Sequence, residues 1–175
     1  YKDGSHSLKF EWNGPASLVF ENFLDMEASF KVNGAGIIIW IYNTVPSDEP
    51  LRFTFWNWSG EEICHFDFNI GYVGWRTAWM KYIDMKTPDG GYYGDIKASE
   101  RLKNVARMTV EMPESLKSGT IYVDRLSFPA KKLHDQITPD MQIPDNNNHL
   151  RRNMWHWCRL WEWEQYPAPE VQPLT

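Results

Sequence analysis

Cysteine is scarce in this chain. Two residues in 175, Cys64 and Cys158, do not make a disulfide framework, and their separation leaves both a buried thiol and a single bridge open. Positive charge is also short. The 18 Lys and Arg face 23 Asp and Glu, for a net charge of −5 and a pI near 5.5, which counts against non-specific nucleic-acid binding by a basic surface. No apolar run approaches the length of a membrane span, and none has the form of a signal peptide. The five histidines, His6, His65, His134, His149 and His156, form neither His-x-x-x-His nor a Cys/His group with zinc spacing. Gly-x-Ser-x-Gly, P-loop and Gly-x-Gly-x-x-Gly patterns are absent, so the common signatures of nucleophilic, phosphoryl-transfer and dinucleotide chemistry are missing. The acidic pair Glu61-Glu62 falls in a turn and reads as solvated charge.

What is abundant is aromatic. Rings make up 15% of the chain, with 10 Trp, more than a core of this size requires. They fall in a period-2 pattern. Leu8, Phe10 and Trp12 alternate with Ser7, Lys9 and Glu11, as a half-buried strand demands, and Asn13-Gly14-Pro15 turns the chain. Leu18 and Phe20, then Ala28, Phe30 and Val32, predict two further strands before an Asn33-Gly34 turn. GIIIWIY (36–42) is a continuous apolar run of strand length, predicted to be a central strand buried on both faces.

Leu51, Phe53 and Phe55 share one face of the next segment, with Arg52, Thr54, Trp56 and Trp58 on the other. Those two indoles form a candidate stacking platform for sugar rings, or lie beneath the C-terminal segment. Cys64, Phe66, Phe68 and Ile70 alternate as a buried face, and 75–83 is again extended. Residues 84–104 form the longest loop, where Tyr92 and Tyr93 either meet a ligand or cap the end of the fold. Val105–Phe128 reads as two strands around a turn at Ser118-Gly119.

Asp124, in the last strand, is discordant: it pairs with Arg125 or faces water, or it belongs to a hard-cation site. Arg101, Lys103 and Arg107, and Lys131, Lys132, Arg151 and Arg152, are local basic groups within an acidic chain, read as solvated charge or as patches. Nine or so short strands bounded by Gly and Pro predict an all-β, antiparallel jelly-roll sandwich over 1–130. In 131–175, Leu150, Met154, Trp157, Cys158 and Trp161 recur at helical spacing, which predicts an amphipathic helix over about 147–164 packing on the sandwich. The start at Tyr1, without an initiator Met, suits a fragment or a processed form.

Four segments carry a family resemblance. Ser7-Leu8-Lys9-Phe10-Glu11-Trp12, Trp40-Ile41-Tyr42-Asn43 followed by Pro46, Gly74-Trp75-Arg76, and Ile121-Tyr122-Val123-Asp124-Arg125-Leu126-Ser127-Phe128 occur in the order found in the N-terminal domain of bacterial chondroitin sulfate ABC lyases of polysaccharide lyase family 8. The resemblance implies a fold like galactose-binding and carbohydrate-binding modules, and a secreted or periplasmic bacterial parent that cleaves glycosaminoglycans by β-elimination. It also implies that the chain itself is not an enzyme. Residues 131–175 would lead to a helical catalytic domain, and the present domain would dock on that domain and guide the polysaccharide. An independent glycan-binding module using Trp56, Trp58, Tyr92 and Tyr93 is the alternative, and a complete small lyase or hydrolase is a further rival. Neither nucleic acid nor membrane is expected as a partner. The resemblance further implies a structural Ca²⁺ or Na⁺ held by the Asp124 side chain and the carbonyl oxygens of Asp3 and His6, with another ligand from upstream of Tyr1.

Overall fold

The computed structural model describes residues 4–21, 34–91 and 104–132, together with positions 29, 32 and 136. All of these lie in the first of two compact units, Tyr1–Ile137. The predicted C-terminal helix lies outside the described residues.

Among the described residues eight strands follow in order: β1 Leu8–Asn13, β2 Ser17–Glu21, β3 Gly36–Asn43, β4 Leu51–Asn57, β5 Glu62–Phe68, β6 Gly74–Lys81, β7 Val105–Glu111 and β8 Ser118–Ser127. They form two four-stranded sheets, β1-β8-β3-β6 and β2-β7-β4-β5, in which every pairing is antiparallel. The pairs β1·β8, β2·β7, β3·β6 and β4·β5 are nested, like the two arms of one long hairpin. Rolling that hairpin so that β8 meets β3 and β7 meets β4 closes both sheets, which is a jelly-roll strand order.

Alternation decides which side chains the sheets enclose. On the first sheet Ile37, Ile39, Ile41, Ala78, Ile121 and Trp12 point inward. Leu51, Phe53, Phe55, Cys64, Phe66, Phe68, Met108 and Val110 answer from the second. Phe53 and Phe66, opposite one another, stack at 4.6 Å between ring centroids. Each fully buried Ile, Leu or Phe contributes roughly 2 kcal/mol by removal from water, so this double layer supplies the main driving force. The inward Cys64, Phe66, Phe68 face and the two-sided burial of β3 match the sequence pattern: Ile38 and Trp40 are buried on the side opposite Ile37 and Ile39.

Two close approaches require glycine. A Cβ on Gly36 would lie 2.0 Å from the Met80 carbonyl oxygen, so β3 and β6 could not pair at that point. A Cβ on Gly119 would lie 2.5 Å from the Trp12 ring, which rests on the Gly119 backbone and donates its Nε1 hydrogen to the Leu116 carbonyl at 3.1 Å.

Two local expectations are corrected. Ser118 and Gly119 open β8, paired with Asn13 and Trp12, and the turn lies earlier, where Leu116 N donates to Pro113 O. The strand expected over 28–32 gives way to turns at its described positions. Ser29 is helical, Val32 N donates to Ser29 O, and Ala35 N donates to Val32 O. The buried Ser29 hydroxyl lies 3.0 Å from the Tyr82 hydroxyl and donates to Pro129 O at 2.8 Å; the other members of that segment lie outside the described residues.

Candidate functional site

The outer face of the second sheet gathers polar groups around one indole. Strand β4 turns Arg52, Thr54 and Trp56 outward because Leu51, Phe53 and Phe55 are committed to the core. Register brings Glu111, Thr109 and Arg107 of β7 beside them, with Asp67 and His65 of β5 on the other flank.

The groups are fixed by one another. Trp56 Nε1 donates to the Thr109 hydroxyl at 2.9 Å, and the Arg107 guanidinium sits 5.5 Å from the centre of a Trp56 ring. The Thr54 and Thr109 hydroxyls both reach Glu111 Oε1 at 3.4 Å. Arg52 makes a two-pronged contact with Asp67, at 2.9 and 3.3 Å, and that hydrogen-bonded pair raises the guanidinium above its ordinary pKa against the opposing cost of burial. His65 Nδ1 is 2.6 Å from Glu62 Oε1. The Nε of Arg107 is buried and has no hydrogen-bond partner.

Four carboxylates, Glu21, Glu62, Asp67 and Glu111, share this face with two guanidinium groups. Such a surface is no polyanion groove. Thr54, Thr109 and His65 are buried and spent on their neighbours, so the groups open to a ligand are the charged side chains at the rim and the part of the Trp56 indole not covered by Arg107.

Trp58 does not join Trp56. The strand ends at Asn57 after a register shift at Trp56, and Trp58 stands in the β4–β5 turn with 77% of its surface exposed. That turn is braced. Asn57 N donates to Glu61 O, Asn57 Nδ2 to Glu61 Oε2, and Glu61 N to Asn57 Oδ1, each at 2.9 Å. Tyr92 and Tyr93 lie outside the described residues.

Of the cation-site residues, Asp3 also lies outside the described residues. His6 is exposed, with Nδ1 2.7 Å from Ser5 Oγ. Asp124 is 9% exposed and pairs with Trp40 across β8 and β3. Pairing of Leu8 with Val123 brings the start of β1 alongside Asp124. Arg125 adopts a left-handed backbone, φ 47°, where β8 bulges against β3, so the bulge sets the direction of the chain beside Asp124. Among the described residues no three His, Cys, Asp or Glu side chains converge on one point. A site built from one carboxylate and main-chain carbonyls does not require that they do.

Sequence reasoning missed the grouping of Arg52, Thr54, Thr109 and Glu111. The outward alternation of Arg52 and Thr54 was visible, but the register that unites β4 with β7 is not written in either strand.

A family model described as "Lyase, N terminal" matches residues 1–145. The chain is 29% identical over 182 residues to a chondroitin sulfate ABC exolyase of Bacteroides thetaiotaomicron, covering 100% of this chain and 16% of that protein. It is 24% identical over 148 residues to a chondroitin sulfate ABC exolyase of Proteus vulgaris, covering 84% of this chain and 13% of that protein. The chain thus spans a small fraction of the curated relatives it matches. Among solved structures, a family 11 carbohydrate-binding module of a Clostridium thermocellum cellulosomal cellulase aligns over 72% of this chain and 88% of its own at 13% identity, with a TM-score of 0.39, too distant to bear on function. On the match over residues 1–145, the chain belongs to the lyase N-terminal family, the N-terminal domain of chondroitin lyases.

Proposed function

We propose that this chain is the non-catalytic, carbohydrate-binding-module-like domain of a chondroitin or dermatan sulfate lyase, where it docks on the helical catalytic domain and guides the polysaccharide. The observation that carries this reading is the alignment of the whole chain with only 16% of an exolyase. A segment of that size at the family's N-terminal position leaves the rest of such a protein to cleave the polymer. The parent protein is then a polysaccharide lyase acting by β-elimination in a secreted or periplasmic setting. Asp124 and the carbonyls at the start of β1 would hold a structural Ca²⁺ or Na⁺, since an all-oxygen set suits a hard cation.

The test is truncation of the full-length protein. Removal of residues 1–145 is expected to raise KM for long chondroitin sulfate while leaving turnover of a short oligosaccharide largely intact. Equal loss on both substrates would assign these residues to the chemistry instead.

A second reading, an independent glycan-binding module, is favoured by Trp58, an exposed indole on a braced turn. Trp58→Ala separates the two: an independent module that binds through this indole loses affinity for glycan, whereas a domain that docks and guides through other surfaces keeps it.

A further inference from the structure

The outer face of the first sheet carries a row of rings at one cross-strand level. Tyr42 of β3 lies opposite Trp75 of β6 and opposite Tyr122 of β8, and Tyr122 lies opposite Lys9 of β1. The rings meet edge to face, with centroids 5.4 Å apart for Tyr42–Trp75 and 5.9 Å for Tyr42–Tyr122. All three are half-buried, so each side chain is held in place by its neighbours while part of it meets solvent.

Their polar tips distinguish them from four other aromatic side chains of the domain. Trp12 and Trp56 donate to Leu116 O and Thr109 Oγ1, and the hydroxyls of Tyr72 and Tyr82 reach Ile41 O and Ser29 Oγ. Among the described residues, the Tyr42 and Tyr122 hydroxyls and the Trp75 Nε1 have no such partner, and none of the three is a buried atom. An amphipathic row of fixed rings with unspent donors matches a ligand that is itself amphipathic, with apolar C–H faces and hydroxyl edges. At the end of the row Lys9 is neutralised by Glu11, 2.9 Å away, so the strip presents no net cation.

We propose that Trp75, Tyr42 and Tyr122 form a binding platform for a pyranose polysaccharide, engaged through the apolar ring faces and indifferent to sulfation. The proposal rests on the reading of this domain as one that meets polysaccharide. It is separable from the absence of cleavage, because a binding platform neither supplies nor precludes bond breaking.

The test uses the whole chain with ¹⁵N-labelled indoles, the Trp75 resonance being assigned by Trp75→Phe. Titration with chondroitin sulfate, desulfated chondroitin and a neutral β-glucan is expected to shift the Trp75 resonance saturably with both chondroitins. The two affinities should agree within a few-fold and change little up to an ionic strength of about 0.15 M. Tyr42→Ala should weaken binding roughly tenfold, the loss of one well-packed ring contact. Tyr122→Phe, which keeps the ring and removes one donor, guards against misfolding and should weaken it only a few-fold. The proposal is overturned if no glycan moves the Trp75 resonance. It is equally overturned if only the sulfated polymer binds and salt abolishes that binding, or if Tyr42→Ala, folded as judged by an unchanged melting temperature, binds normally.

Discussion

Trp56 and Thr109 are joined across β4 and β7 by a 2.9 Å hydrogen bond from indole to hydroxyl, on a face where the other polar groups also hold one another. Thr109→Val keeps the shape of the side chain and removes the acceptor. It should lower the urea midpoint by the equivalent of about 1 kcal/mol with an unchanged slope. Trp56→Phe removes the donor, so Thr109→Val made on that background should cost clearly less. Fully additive losses would show that the pair is not coupled.

Trp12 lies on Gly119, and a methyl group at that position has nowhere to go. Gly119→Ala should destabilise the domain by about 1–3 kcal/mol, as overpacking does. On a Trp12→Leu background, where the ring is gone, the same substitution should cost much less. A chemical denaturation cycle of the four proteins checks this.

Much of this architecture was legible because burial imposes a period on the strands. GIIIWIY could only be a strand covered on both sides, and Cys64, Phe66 and Phe68 could only face inward. Pairing was not legible. That β1 lies beside β8, with more than a hundred residues between Trp12 and its partner Gly119, follows from nothing in either segment. The same gap misplaced the glycine: Ser118-Gly119 carries turn chemistry, and only the ring of Trp12 explains why a glycine is needed inside a strand. The Trp75–Tyr42–Tyr122 row was invisible for a related reason, since its members come from three strands that only the register aligns. Trp58 left the face expected for it because β4 shifts register at Trp56 and ends one residue later.

Three buried groups are held protonated. Burial pushes up the Cys64 thiol and the Tyr72 and Tyr82 hydroxyls; the nearby Arg76 opposes the shift at Tyr72, and the Ser29 hydrogen bond opposes it at Tyr82. The unfolded chain releases these protons first, near the ordinary values of 9.0 for the thiol and 10.0 for the phenols. The stability they contribute is therefore whole below about pH 9 and is lost as pH rises beyond it. Thermal melts should be level from about pH 7 to 9 and fall steeply above. On a Cys158→Ser background, Cys64 should react with a thiol reagent only on unfolding, since a neutral buried thiol is inert.

The cation proposal predicts a melting temperature several degrees lower in chelator and restored by Ca²⁺, because a ligand of the folded state alone stabilises it by mass action. Asp124→Asn should abolish the response to Ca²⁺. A melting temperature indifferent to both additions would show that no such cation site exists.

On the proposed function, these residues serve a lyase without performing its reaction. The most direct measurement incubates the isolated chain, and separately the full-length protein, with chondroitin sulfate and follows the ultraviolet absorbance of unsaturated uronate. A rising signal is expected from the full-length protein and none from the chain alone. A sustained, concentration-dependent rise from the chain alone would contradict the proposed function.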